Sequence, residues 1–460
     1  MTPSPAPILI QHGRVIDGLG NPAIEADVLL EAGSIRAVGA EASALAAGRN
    51  DIARIDASAK TVMPGLIDTH CHVTFDEPSS NDELFYHRRE GLAAMIAARN
   101  VRKLLHAGVT GFLDPDSIFD VGIDLRDAIE AGIVEGPRMA CGGNALFTSV
   151  GGTAGAMIPD QGRAGYAVVT RTRDDIVAET RRQIKKGADW IKVHVTGIIP
   201  RQQEKGEIQV WTLDELKVVV DTAHDLGIPV LGHCRNASST RDAAVAGFDM
   251  ILHATHMDEE ALEAVATRKV PLSPSLTFQA NLADHAGKIG ADENLVSIFR
   301  KEIAESAVML RRAYDAGVPL LSGSESGFSI TPYGEWHFRE MQVFVEDLGL
   351  TPLQAIKSAT SDAAFGLKAS GKTGAIEAGR WADVIVVDGR PDEDVRVLGD
   401  KSRIHHVIVG GRAVALDVTL PERGKVPGWT VSAYSAKTLT WALANHVIGA
   451  DSKGFSGPLP

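Results

Sequence analysis

The segment Asp68-Thr69-His70-Cys71-His72 constrains this chain more than any other. It follows the apolar run Val62-Met63-Pro64-Gly65-Leu66-Ile67, with a turn expected at Pro64-Gly65. An apolar run that ends in His-x-His reads as a β-strand carrying a metal site at its end. Side chains alternate across a strand, so an extended Leu66 to Val73 puts His70 and His72 on one face. Two imidazoles side by side can hold one metal ion. Alone, the pair equally describes two hydrogen-bonded histidines at a strand end, and the later residues must decide.

Apolar strand-like runs alternate with helical patterns from about residue 65 to 370. Val109-Thr110-Gly111-Phe112-Leu113, Trp190-Ile191-Lys192-Val193-His194 and Pro229-Val230-Leu231-Gly232-His233 belong to the series, as do Met250-Ile251-Leu252-His253 and Val318-Pro319-Leu320-Leu321. Such alternation predicts an α/β fold with a parallel sheet under covering helices, and its length suits a (β/α)8 TIM barrel over residues 65–372. Thr212-x-x-Glu215 is a capping box, followed at helical spacing by Leu216, Val219, Val220 and Ala223. Thr351-Pro352-x-Gln354 starts another helix, with proline at its first position. Short strands flank the barrel on both sides, over residues 8–61 and 373–416. They predict one small β-sandwich domain built from residues 1–64 and 373–416, and residues 417–460 form a C-terminal extension.

Composition bounds the rest. The 460 residues carry a net charge of −13, which argues against a nucleic-acid partner. The three cysteines, Cys71, Cys141 and Cys234, suit a reducing compartment. No run of 18 apolar residues suggests a membrane span, and no signal-peptide pattern opens the chain. The expectation is a soluble cytoplasmic protein with a small-molecule substrate.

Four further residues stand at strand ends of the same kind: Lys192, His233, His253 and Glu325. Each has a bland reading, as an ion-paired lysine, a core histidine or a turn-capping carboxylate. In a barrel, however, the C-terminal strand ends converge on one face. The order His70-x-His72, Lys192, His233, His253 and Glu325 resembles the metal-dependent amidohydrolase superfamily, and the resemblance covers roughly residues 8 to 416. Leu125 to Gly132 with Gly136-Pro137-Arg138, Gly187 to Val193, and Leu350 to Ala355 look closest to its prolidase and imidazolonepropionase-like branch. Gly323 to Phe328 with Thr331 to His337 resembles the phenylurea and molinate hydrolases of that branch.

The resemblance implies that His70 and His72 bind a first metal and His233 and His253 a second. Lys192, carboxylated by carbon dioxide, would bridge them. A lysine ammonium cannot ligate a cation, whereas its carbamate is an anionic oxygen donor. The cofactor would be one or two divalent ions, zinc first, with cobalt or manganese as alternatives. A homo-oligomer is expected on the same ground. Glu325 stands where the family usually has Asp, which moves the carboxylate by about 1 Å, one bond length. Thr153-Ala154 replaces the family's His-Gly after paired glycines.

These residues imply hydrolysis of a carbonyl C–N bond in a urea, carbamate, thiocarbamate or amide. Metal lowers the pKa of its water toward neutrality. Glu325, as catalytic base and metal ligand, would move the water proton to the leaving nitrogen. His337 would stabilise the oxyanion or orient substrate, or be an ordinary surface or helix-start histidine. His194 shares a strand face with Lys192, and His256 reads as structural. Phe147, Phe278, Phe328 and Trp336 flank strand ends and suggest an apolar substrate pocket; they could equally be plain packing. Arg235 could bind a substrate carboxylate or form a simple salt bridge. Two rivals remain: a dipeptidase or N-acyl-amino-acid hydrolase needing that cationic clamp, and a non-catalytic scaffold on the same barrel. A deaminase fits less well, because Asn236 stands where such enzymes place a helper Glu.

Overall fold

The chain changes sheets at Gly65. The computed structural model describes residues 5–79, 84, 89–152, 165–197, 207–422, 424, 435 and 437–445. Pro64 still pairs with Val384, while Leu66 already pairs with Val109. The Pro64-Gly65 step is therefore a crossing between two sheets rather than a simple turn. A Cβ at residue 65 would lie 2.1 Å from the Thr110 side chain, so the crossing requires glycine.

The lead-in strands are β1 (Ile8–Val15), β2 (Ile24–Glu31), β3 (Ser34–Val38), β4 (Ala53–Asp56) and β5 (Thr61–Pro64). Then come β6 (Leu66–Asp68), β7 (Val109–Asp114), β8 (Arg138–Cys141), β9 (Ala145–Phe147), β10 (Ala167–Val169) and β11 (Ile191–His194). The hairpin β12 (Thr196–Gly197) and β13 (Ile208–Gln209) precedes β14 (Val230–Cys234), β15 (Met250–His253) and β16 (Leu272–Ser273). The last are β17 (Val384–Val387), β18 (Ile404–Val409) and β19 (Arg412–Ala413).

Strands from both flanks share one eight-stranded sheet in the order β19-β18-β17-β5-β1-β2-β3, with β4 beside β1. Where a two-sheet sandwich was expected, the pairing is continuous. Ile35 of β3 and Ile408 of β18, from the two ends of that order, belong to one buried cluster with Ile10, Val28, Val62 and Val386. The helix Ala40–Ala46 covers part of the opposite face through Ala42 and Ala46, against Leu9 and Leu29.

The central strands form two parallel sheets, β6-β7-β8 and β10-β9-β11-β14-β15-β16. Among the described residues these do not close into one ring of ladders, in contrast to the eight-stranded barrel expected. Isolated bridges Gly142↔Trp190 and Leu272↔Leu320 lie where the ladders break. The run Val318 to Leu321 thus contributes a bridge rather than a strand. Its continuation Ser322-Gly323-Ser324 divides its bonds: Ser322 N–H donates to Ser358 O and Thr69 N–H to Ser322 O, both at 2.9 Å.

Helices alternate with these strands and bury one stripe each. Leu213–His224 starts at the Thr212–Glu215 capping box and buries Leu216, Val219, Val220 and Ala223. Pro352–Ser358 starts at the Thr351–Gln354 box. Each large apolar side chain so buried contributes roughly 1.5–3 kcal/mol. Among the described residues no helix is long and apolar enough to cross a membrane. Of the C-terminal extension, the described residues 439–441 lie over Trp336, whose Nε1–H donates to Leu439 O at 2.8 Å. We expect Gly65→Ala, which overpacks Thr110, to cost about 1–3 kcal/mol and to lower the thermal unfolding midpoint read by scanning fluorimetry.

Candidate metal centre

β6 stops at Asp68 because its carboxylate turns the chain. Asp68 Oδ1 accepts His70 N–H at 3.0 Å, a side chain-to-backbone bond that replaces the next ladder bond. His70 and His72 therefore sit just beyond the strand rather than within an extended Leu66 to Val73. They still converge, with their Nε2 atoms 3.0 Å apart.

The partners of the other ring nitrogens define the chemistry at that point. Ser275 Oγ donates to Ser273 O at 3.3 Å, so it accepts from His70 Nδ1–H at 2.8 Å. His72 Nδ1–H donates to the Asp116 carbonyl at 3.3 Å. With both Nδ1 atoms protonated, two Nε2 lone pairs face each other. Burial holds the His70 pKa well below its ordinary value and that of His72 down to about 4, so a shared proton does not relieve the repulsion. A divalent cation does, and outer hydrogen bonds of this kind fix the tautomer of metal-binding histidines.

His253 ends β15 with φ +68°, and among the described residues neither of its buried ring nitrogens has a hydrogen-bond partner. Such an orphaned imidazole fits a ligand role. Glu325 completes the group: single ligand atoms of His70, His253 and Glu325 all lie within 4.8 Å of one another. Glu325 also has a left-handed backbone, φ +52°, a conformation that costs roughly 1–3 kcal/mol in a non-glycine residue. Its neighbours enforce it. Thr331 Oγ1 donates to Glu325 O at 2.7 Å, and His72 N–H donates to Ser326 O at 2.7 Å. At Gly327, φ +131°, a Cβ would stand 2.7 Å from His72 O, so the loop can approach the His72 backbone this closely only with glycine. Burial pushes the Glu325 carboxyl up to about 8, against the pull of Arg235 and Lys192.

Lys192, His194 and His233 enter from β11 and β14. Lys192 Nζ lies 3.3 Å from Asp116 Oδ1, and His194 Nε2 lies 3.5 Å from Asp116 Oδ2. Burial alone would raise Asp116, but Lys192 and His72 hold it well below the usual carboxylate range. His233 stacks on His194, centroids 4.8 Å apart, and its Nε2–H donates to Glu207 Oε2 at 2.8 Å. Burial opposes ionisation of Glu207, yet His233 and Arg235 keep it down at about 2.

One cavity is lined by His70, His72, Lys192, His233 and Glu325 together with Asp116 and His194. Its wall is aromatic. Phe75 stacks on His72 at 4.1 Å, Phe328 meets Phe75 edge-on at 5.5 Å, and Phe278 supports Phe328 at 5.4 Å. Leu84 and Tyr166 also line it. Other expected site residues do not reach this lining. Phe147 is fully buried behind His194. Trp336 packs on Phe338 and Trp441 beneath the C-terminal segment. His337 has both nitrogens engaged: Nδ1–H donates to Asp68 Oδ2 at 2.6 Å, and Nε2 accepts Gly334 N–H at 2.9 Å. Arg235 is tied to Glu302 at 2.6 Å and lies 3.6 Å from Glu207. His256 lies 3.7 Å from Glu302. Thr153-Ala154 falls outside the described residues.

Reasoning from sequence passed over Asp68, Phe75, Asp116, Tyr166, Glu207 and Ser275. Asp116 was visible in principle, since Asp114-Pro115-Asp116 follows β7 as His70 follows β6. Glu207 carries no such signal, because it precedes a strand of only two residues.

The chain matches the model of the Amidohydrolase family over residues 61–414. It is 28% identical over 438 residues to an ochratoxinase of Aspergillus niger, covering 88% of this chain and 86% of that protein. The crystal structure of a Xaa-Pro dipeptidase superposes with a TM-score of 0.76 at 28% identity, covering 89% of this chain and 100% of the other. The structure of molinate hydrolase superposes with a TM-score of 0.74 over 92% of this chain and 99% of the other; at 22% identity it supports the fold alone. These neighbours imply a TIM-barrel frame, and the family is generally metal-dependent.

The pKa shifts predict a pH signature for metal-free protein. Histidines with depressed pKa add stability above their ordinary 6.5 and lose it on acidification, as His72 at about 4 and His194 at about 3 will. Glu325, raised from 4.5 to about 8, acts oppositely: its contribution fades as pH rises through that window. Between pH 6.5 and 8 the histidine contribution is level, and Glu340, raised by burial to about 7, adds to the loss from Glu325, so the unfolding midpoint should fall. In Glu325→Gln the fall should be markedly smaller, and an equal fall in both proteins would disprove the assignment. Added zinc or cobalt should raise the midpoint most near pH 8, where it allows Glu325 to ionise.

Proposed function

Because this chain belongs to the amidohydrolase family, and is a hydrolytic enzyme acting on C–N bonds, we propose that it cleaves a urea, carbamate, thiocarbamate or amide bond in a small, largely apolar molecule. The facing Nε2 lone pairs of His70 and His72, closed by the unpartnered His253 and by Glu325, carry the reading. These residues fit a divalent metal, zinc first. Lys192, once carboxylated, and His233 would add an anionic oxygen and an imidazole for a second ion. A divalent metal bound here supplies an acidified water and polarises the scissile carbonyl.

The chain's own residues do the rest. Glu325 accepts the proton of the attacking water as the water oxygen bonds to the carbonyl carbon. It then delivers that proton to the nitrogen as the C–N bond breaks. Its raised pKa reflects protein without metal, and a cation beside it lowers the value toward a working base. Phe75, Phe328 and Leu84 exclude bulk water and favour an apolar substituent. A substrate carboxylate would need a cationic partner. Arg235, the residue suited to that task, is committed to Glu302 and Glu207, so the neutral substrate is favoured over the dipeptide.

The test is a hydrolysis screen of zinc- or cobalt-loaded protein by LC-MS. The panel holds N-aryl ureas, thiocarbamates and N-acyl amino acids, with Glu325→Gln as control. The expected outcome is turnover of neutral ureas, carbamates or amides, reduced about 10²–10⁴-fold in the control, as for loss of a general base. Turnover confined to acyl amino acids would transfer the assignment to the peptidase reading. Failure of metal-loaded protein on every class would overturn the proposal.

A further inference from the structure

Two segments that meet at one isolated bridge, Cys71↔Ser326, must keep a fixed relation for the reaction above: the His70–His72 segment and the loop carrying Glu325. Asp68 spans them. Its Oδ1 accepts His70 N–H and Ser324 N–H, each at 3.0 Å. Its Oδ2 accepts Ser324 Oγ–H at 2.5 Å and His337 Nδ1–H at 2.6 Å. Ser324 Oγ in turn accepts Ser326 N–H at 3.1 Å. The residues on both sides of Glu325 are thus tied, directly or through one hydroxyl, to the carboxylate that orients the His70 backbone.

His337 closes the arrangement. Its Nε2 accepts Gly334 N–H, so the proton must sit on Nδ1, where it points at Asp68. Asp68 and His337 are 3% and 4% exposed, so water does not substitute for either partner. A histidine engaged at both nitrogens has no atom left to stabilise an oxyanion. We propose that Asp68 and His337 are positioning residues, a buried pair that sets the distance between the metal-binding histidines and the base Glu325. The inference rests on the metal-dependent reading above. In a chain lacking the pair, Ser324 is released, the left-handed backbone of Glu325 relaxes, and His70 turns away from His72.

The test compares Asp68→Asn, His337→Leu, His337→Asn and Ser324→Ala with wild type. Three readouts are zinc affinity by competition with a chromophoric chelator, the visible spectrum of the cobalt-substituted protein, and kcat against KM. His337→Leu and Asp68→Asn should weaken zinc by about 10–100-fold, the usual effect of losing a residue that orients ligands. They should also alter the cobalt spectrum and lower kcat more than KM changes. In His337→Asn the amide nitrogen takes the place of Nδ1, so affinity and spectrum should return most of the way to wild type. A residue that serves folding alone would lower the unfolding midpoint without this pattern of loss and rescue. Should Asp68→Asn fail to fold, Ser324→Ala, which removes one donor only, is expected to give the milder form of the same losses. Wild-type affinity and spectrum in both His337→Leu and Ser324→Ala would overturn the inference. If wild type itself bound no metal, the proposed function would fall; if it bound and the variants matched it, only the positioning role would.

Discussion

Removing ionisable groups from water governs this molecule. Imidazoles, a lysine and carboxylates crowd one cavity, and an isolated buried charge is so costly that it neutralises or finds a partner. The solutions differ by residue. Asp116 stays ionised among Lys192, His72 and His194, and Glu207 does so between His233 and Arg235. His70 and His72 shed their charge, which leaves two Nε2 lone pairs facing each other. The frame of strands and helices brings these groups together, but their mutual demands determine the final geometry.

Local backbone strain follows the same logic. His253 at the end of β15, Ala254 after it and Glu325 adopt left-handed conformations, and Glu325 lines the cavity. Such residues persist only when surrounding bonds over-determine them. Around Glu325 those bonds come from Thr331, from the backbone of His72, and from the serines on either side. The departure from the family's usual Asp is thereby accommodated: the longer carboxylate still reaches the group formed with His70 and His253.

Some of this was legible in the sequence. His70, His72, Lys192, His233 and His253 each end an apolar run, and the rule that strand ends converge sufficed to group them. The same rule would have found Asp116, but an acidic residue after proline reads first as a turn. Glu207 and Ser275 could not be found this way, because their part depends on which loop folds over which strand. Trp336 and His337 misled for a related reason. They are close in sequence to Glu325, yet Trp336 faces the C-terminal segment and His337 faces Asp68. The strand patterns suggested that the two flanks share one domain but did not give the continuous order of their sheet, since alternation does not fix the path by which edges meet.

The pairing of β5 with β17 has a consequence for biosynthesis. The hydroxyl of Thr61 reaches the carbonyl of Gly389, 328 positions later, and β5 leads through Gly65 and β6 to His70. On the ribosome, the histidine pair emerges early and β5 can pair at once with β1, but its other neighbour, β17, exists only when most of the polypeptide has been made. Contacts of such long sequence separation form late and slowly. Throughout that interval the strand leading to the histidines is held along one edge only. Residues made among the first are thus secured on their second edge by residues made among the last.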